Sequence, residues 1–269
     1  MIDDGLTHVG RRQQATLFFV SSGLQGGNGG LPKDCKATGR AVHGGGLALA
    51  FAMLCFASGP SAAASCSYPA QPSIDWSKCN RQNLMLQGAD LTNANLQDTD
   101  FGLTDLRNAK LASANLTEAK LVRASLAGAK ANKADFSKVE GYRTNFSGVT
   151  AEGASFRSAE LQRADFGDAV LTGADFEKAE LGRAHFDGAQ LGDNSFVFAN
   201  LARAELGTAK IAGQLDFTQA YMFLTRIEGA DLSGAKGLVQ GQIDIACGDA
   251  ATKLPAGLTP PAKWPCGAE

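Results

Sequence analysis

Hydrophobic residues recur along this chain at every fifth position over a long central stretch. Stepping by five from Leu86 to Ile211 visits 26 positions, and all but Ala131, Gly141 and Ala151 are Leu, Phe or Ile. Alanine stands two residues before the centre in 19 of the 26 quintets and never immediately before it. A five-residue period fits neither the 3.6 of a helix nor the 2 of a strand, so each quintet must be a short extended segment closed by a turn. In such a segment the centre and the residue two before it point to one side, and the residue between them points out. For every centre to face one axis the chain must turn through a constant angle each time, so it coils.

Slower modulations give the number of walls. Arg123, Arg143, Arg163, Arg183 and Arg203 recur every 20 residues, whereas Phe136, Phe146, Phe156, Phe166, Phe176, Phe186 and Phe196 recur every 10. Four quintets per coil put the arginines in one external column and draw the phenylalanines from two opposite walls. Ala131, Gly141 and Ala151 then lie on the other pair of walls, where the rings leave less room. Gly128, Gly148, Gly153, Gly173 and Gly188 follow their centres by two residues, where a turn needing positive φ is expected. Beyond Ile211 the centres move to Phe217, Met222, Ile227 and Leu232, so one residue is inserted within 212–216 and a bulge is expected there.

The stretches ADLTNANLQ from Ala89, SANLTEAKL from Ser113, GADFEKAELGRAHF from Gly173 and GADLSG from Gly229 resemble the pentapeptide-repeat family, whose unit reads Ala-(Asp/Asn)-Leu-X-X. The resemblance implies an all-β fold, a right-handed quadrilateral parallel β-helix of about seven to eight coils with short terminal caps. The expected organisation is a leader at 1–64, an N-terminal cap at 65–80, the β-helix at 81–238 and a C-terminal cap and tail at 239–269. The scaffold is shared by proteins of unrelated roles, so it specifies architecture more than activity. Acidic dimeric rods of this family imitate DNA and bind type II topoisomerases. This chain departs from them in charge, in its C-terminus and in its leader.

Residues 47–57 read LALAFAMLCFA, too short to span a bilayer but suited to the core of a secretory signal. Lys36 and Arg40 lie upstream and Ala62, Ala63 and Ala64 offer a cleavage site, so the protein is expected to be exported to a periplasmic or extracellular location. Without residues 1–64 the chain carries 20 basic and 24 acidic residues, a net charge of −4, too balanced to advertise nucleic acid through charge alone. Four cysteines remain, Cys66, Cys79, Cys247 and Cys266, and in an exported protein an even number reads as disulfides. They allow three pairings, but coils stacked at ~4.8 Å make a rod roughly 36 Å tall, and a disulfide needs Cα atoms within ~7 Å. Only Cys66 with Cys79 and Cys247 with Cys266 are then feasible. A short helix is expected within 238–247, over the last coil.

No residue is assigned a catalytic or metal-binding role, and no cofactor is expected. Asp165, His185 and Glu205 fall in one external column, but on a wall expected to be flat, without the concavity a reaction site needs. The arginine column is the stronger candidate: five guanidinium groups at the coil spacing suit sulfate, phosphate or uronate groups. Glu140, Glu160 and Glu180 lie three residues before Arg143, Arg163 and Arg183 and are expected to neutralise much of it. The sequence thus points first to a non-enzymatic structural or protein-interaction module. Next comes an envelope binder of anionic glycan or lipid through the arginines, and distantly a DNA-mimic topoisomerase inhibitor. The partner is an unidentified protein or envelope component, and no transmembrane span is expected.

Overall fold

The computed structural model describes residues 66–267. The leader expected at 1–64, including the apolar run 47–57, lies outside the described residues. From Asp75 onward the chain winds into coils of four quintets. Parallel bridges join each coil to the next at a separation of 20 residues, from Asp75 with Asn95 to Asp175 with Ser195. Each regular quintet contributes four backbone bonds. Around Phe166, its N–H donates to the His185 carbonyl one coil on (2.8 Å), the Asp165 N–H donates to Thr144 one coil back (3.0 Å), the Asp168 N–H donates to Asp187 one coil on (2.7 Å), and the Ala169 N–H closes the turn onto Phe166 (3.1 Å). This leaves few backbone groups unpaired inside the stack.

The residue before each centre explains the Asp/Asn of the repeat. Its Oδ1 accepts the N–H two residues on, as Asp135 does from Ser137 (2.9 Å), Asn145 from Ser147 (2.8 Å) and Asp175 from Glu177 (2.9 Å). Such Asx turns hold the first turn residue in place. At nearly every turn the second residue has positive φ whether or not it is glycine, Thr208 and Gly234 being exceptions. Gly128, Gly148, Gly153, Gly173 and Gly188 adopt φ of 62–71°, but 23 described non-glycine residues share that region, all five arginines of the column among them. The N–H at this position donates to the coil above, as from Arg163 to Gly182 at 2.9 Å. That bond offsets the cost of left-handed backbone, which for a side-chain-bearing residue is of the order of 1 kcal/mol.

The axis is filled by the centres. Phe136, Phe156, Phe176, Phe196 and Phe217 stack from one wall, with centroids 4.8–5.3 Å apart. Phe146, Phe166 and Phe186 stack from the opposite wall at 4.9–5.1 Å. Rings from the two walls meet edge to face, near 90° and 5.6–6.2 Å apart. On the remaining walls space is short: a Cβ on Gly141 would lie 2.8 Å from Cδ2 of Leu161. Where alanine is replaced by threonine two residues before a centre, the buried hydroxyl donates to a carbonyl of the preceding coil, from Thr144 to Leu121 (2.6 Å) and from Thr225 to Leu201 (2.8 Å).

The insertion produces the expected bulge. β1 (Gln190–Leu191) pairs with β2 (Lys210–Ile211) in the 20-residue register, and Ser195 then pairs with Asp216, 21 residues on. The displaced Ala212 carbonyl occupies the space a Cβ on Gly192 would need. Buried Asn194 repairs the ladder, its Oδ1 accepting the Gly192 N–H (2.7 Å) and its Nδ2 donating to Leu171 (2.6 Å) and Ala174 (3.0 Å).

At the N-terminal end Cys66 and Cys79 are disulfide-bonded with Cα atoms 5.5 Å apart. Arg81 donates to the Tyr68 carbonyl (3.0 Å) and lies 3.8 Å above the buried Trp76 ring. At the other end α1 (Gln240–Ile245) crosses the last coil, and the Gln242 amide donates to Phe217 and Ala220 (2.9 and 2.8 Å). The bridge ladder continues through this segment, pairing Arg226 with Cys247 and Asp231 with Lys253. Cys247 is disulfide-bonded to Cys266, with Cα atoms 5.4 Å apart. Trp264 anchors the return by donating from Nε1 to the Ala246 carbonyl (2.8 Å).

Candidate functional site

Each arginine of the column is the second turn residue after its centre, so the column occupies a corner between two walls. One wall carries Glu140, Glu160 and Glu180; the other carries the successive rungs Asp165, His185, Glu205 and Arg226. The second wall is not flat. The C-terminal segment folds beside it, leaving a groove of about 720 Å³ lined by Arg143, Arg163, Arg183 and Arg203 and headed by Arg226 and the Cys247–Cys266 disulfide. This concavity depends on the return of the chain at Cys266, which the repeat pattern does not encode.

The expected neutralisation is corrected by the geometry. Among the described residues, Arg123, Arg143, Arg163 and Arg183 form no ion pair with Glu140, Glu160 or Glu180. Each glutamate stands on a face of the solenoid, whereas the arginine three residues on stands at its corner. Glu180 instead accepts from the Asn200 amide (2.8 Å). Arg143 lies over the Tyr142 ring (5.3 Å) and Arg203 over Phe223 (5.8 Å). Arg123 is set apart from the other four, beside a depression of about 490 Å³ lined by Leu103, Lys120, Val122 and Tyr142.

Inside the groove His185 Nδ1 lies 3.1 Å from Glu205 Oε2. The third member of this cluster is Asp187, not Asp165: ligand-type atoms of His185, Asp187 and Glu205 fall within 4.8 Å of one another. Asp165 is engaged locally, accepting the Gly167 N–H (2.9 Å), whereas Asp187 accepts from the Thr208 hydroxyl (2.9 Å). The outward column is visible from spacing, but Asp187 reaches the pair across a turn. Arg183 and Arg203 line the same groove and oppose a cation there. The arrangement suits anionic groups on the guanidinium side and hydroxyl donors at Glu205.

These features define a β-solenoid whose surface carries an arginine-lined groove. The pentapeptide-repeat family model matches at residues 86–121, 119–157, 152–188 and 169–206. The coil stack belongs to the pentapeptide-repeat family, whose members fold as right-handed quadrilateral β-helices and serve as structural or binding modules; no catalytic family is indicated. Among solved structures the chain is similar to HetL, involved in heterocyst differentiation regulation in the cyanobacterium Nostoc sp. strain PCC 7120. The two are 25% identical over 69% of this chain and 91% of that one, with a TM-score of 0.42. It is also similar to QnrB1, a plasmid-mediated fluoroquinolone resistance protein (17% identity, 66% and 88% covered, TM-score 0.35). A third is a pentapeptide repeat protein of the Arabidopsis thaliana thylakoid lumen (23%, 40% and 69%, TM-score 0.19). No curated protein matches the sequence. Among the described residues no helix is long and apolar enough to cross a membrane.

Proposed function

We propose that this protein is an exported, non-enzymatic interaction module that binds an anionic envelope component along its arginine corner. The carrying observation is the groove flanked by Arg143, Arg163, Arg183 and Arg203, the first three of which form no ion pair with Glu140, Glu160 or Glu180 among the described residues. Export is supported by the leader pattern, and the two disulfides suit an oxidising compartment. A cationic corner weighs against the DNA-mimic alternative, which requires an acidic surface.

The test is binding of heparin as a generic polyanion, measured by calorimetry in ~0.15 M salt, where exposed long-range attraction is largely screened. Binding that survives this salt and disappears in the triple variant Arg143→Glu, Arg163→Glu, Arg183→Glu supports the reading. Absence of binding even at low salt removes it.

A further inference from the structure

Building on the anion-binding reading of the groove, we propose that its ligand is a single extended chain of an acidic glycan, bearing uronate carboxylates together with free hydroxyls. Three observations narrow the chemistry. The first is length. From the level of Arg143 to that of Cys247 the groove spans five coil steps, about 24 Å at the usual strand spacing. Arg143, Arg163, Arg183 and Arg203 follow one another along it, so a chain laid along the corner with a regular repeat of anionic groups meets them in turn.

The second observation is the apolar head of the groove. Leu224 and the disulfide line it, and the exposed Phe223 ring adjoins Leu224 with Arg203 over it; such a surface suits the C–H face of a sugar ring.

The third is Glu205. A carboxylate within a file of guanidinium groups repels a ligand made of anionic groups alone, such as polyphosphate. His185 Nδ1 lies 3.1 Å from one of its oxygens, and a carboxylate has about four lone-pair sites. A ligand presenting hydroxyl donors beside its carboxylates satisfies both: the arginines take the carboxylates, bidentate where geometry allows, and Glu205 accepts from the hydroxyls. A uronate glycan carries both groups on every sugar. An extended acidic peptide carries the carboxylates without the hydroxyls.

The test compares three probes of equal residue number, a galacturonate oligomer, an oligoglutamate and a linear polyphosphate, by calorimetry on the disulfide-intact protein in ~0.15 M salt. The galacturonate oligomer is expected to bind at least about tenfold more tightly than the others. Arg163→Glu with Arg183→Glu should weaken it at least about tenfold, and Arg163→Lys with Arg183→Lys less so, because charge is kept while the bidentate fork is lost. Circular dichroism on each variant establishes that the coil stack is intact. Binding of all three probes in proportion to charge overturns the glycan assignment and leaves the anion-binding reading standing. Binding of none overturns both. Glycan binding indifferent to the arginine substitutions refutes the groove as its site.

Discussion

The phenylalanine file makes a quantitative demand on stability. Phe166 is fully buried and touches four rings, stacked on Phe146 and Phe186 (4.9 and 5.1 Å) and edge to face with Phe156 and Phe176 (5.6 and 5.7 Å). Phe166→Ala removes all four contacts, and the ladder on every wall prevents the coil from collapsing into the void. The cost should therefore fall in the upper part of the 3–5 kcal/mol range for buried Phe→Ala changes. Because the rings pack on each other, Phe166→Ala and Phe176→Ala should be non-additive by about 0.5–1.5 kcal/mol. Phe136 and Phe186 share no ring contact among the described residues, so their double variant should be additive within about 0.5 kcal/mol. Urea unfolding monitored by circular dichroism gives each value. Fluorescence adds a probe at either end, since Trp76 and Trp264 belong to opposite caps; divergence of the two signals in the variants would mark loss of single-step unfolding. A Phe166→Ala cost below about 2 kcal/mol, or additivity for the touching pair, would show that the axis does not pack as one file.

Two further outcomes follow from the bulge and the C-terminal coil. Gly192→Ala should destabilise by about 1–3 kcal/mol because the Ala212 carbonyl occupies the Cβ position, and a denaturation midpoint equal to wild type would contradict that packing. Asp231 is held down to a pKa of about 2, chiefly by the hydrogen bond from Lys253 and then by Ser233. As a carboxylate depressed below its unfolded value, it favours the native state above about pH 4, and this contribution fades as pH falls through about 2. Carboxyl NMR titration should show Lys253→Met moving its midpoint back toward 3.8; an unmoved midpoint would rule out the ion pair as cause.

Most of the architecture is legible because each quintet states the same requirement. The 10-residue phenylalanine period specifies opposite walls, and the rings do stack in two files meeting edge to face. What could not be read are relations between side chains at unequal depth. Glu140 and Arg143 are three residues apart, but one stands on a face and the other rounds a corner. Asp165 shares the column of His185, yet its own turn engages it while Asp187 approaches instead. Glycine at a few turns points to positive φ, and those turns have it; what the spacing does not show is that Arg, Lys and Asn adopt the same backbone at other turns, where an inter-coil hydrogen bond holds it. The groove was invisible because one of its sides comes from a tail outside the repeat.

The advance of 20 residues per rung ahead of the bulge also makes length a quantised property of this molecule. Duplicating or deleting a whole turn of the solenoid between Arg123 and Arg203 would add or remove one guanidinium while every other side chain kept its compass bearing. A change of five residues would instead swing everything beyond it by a quarter revolution, carrying the downstream arginines onto the adjacent corner. Whole-coil duplication or deletion within its patterned segments would lengthen or shorten the proposed binding track one guanidinium at a time.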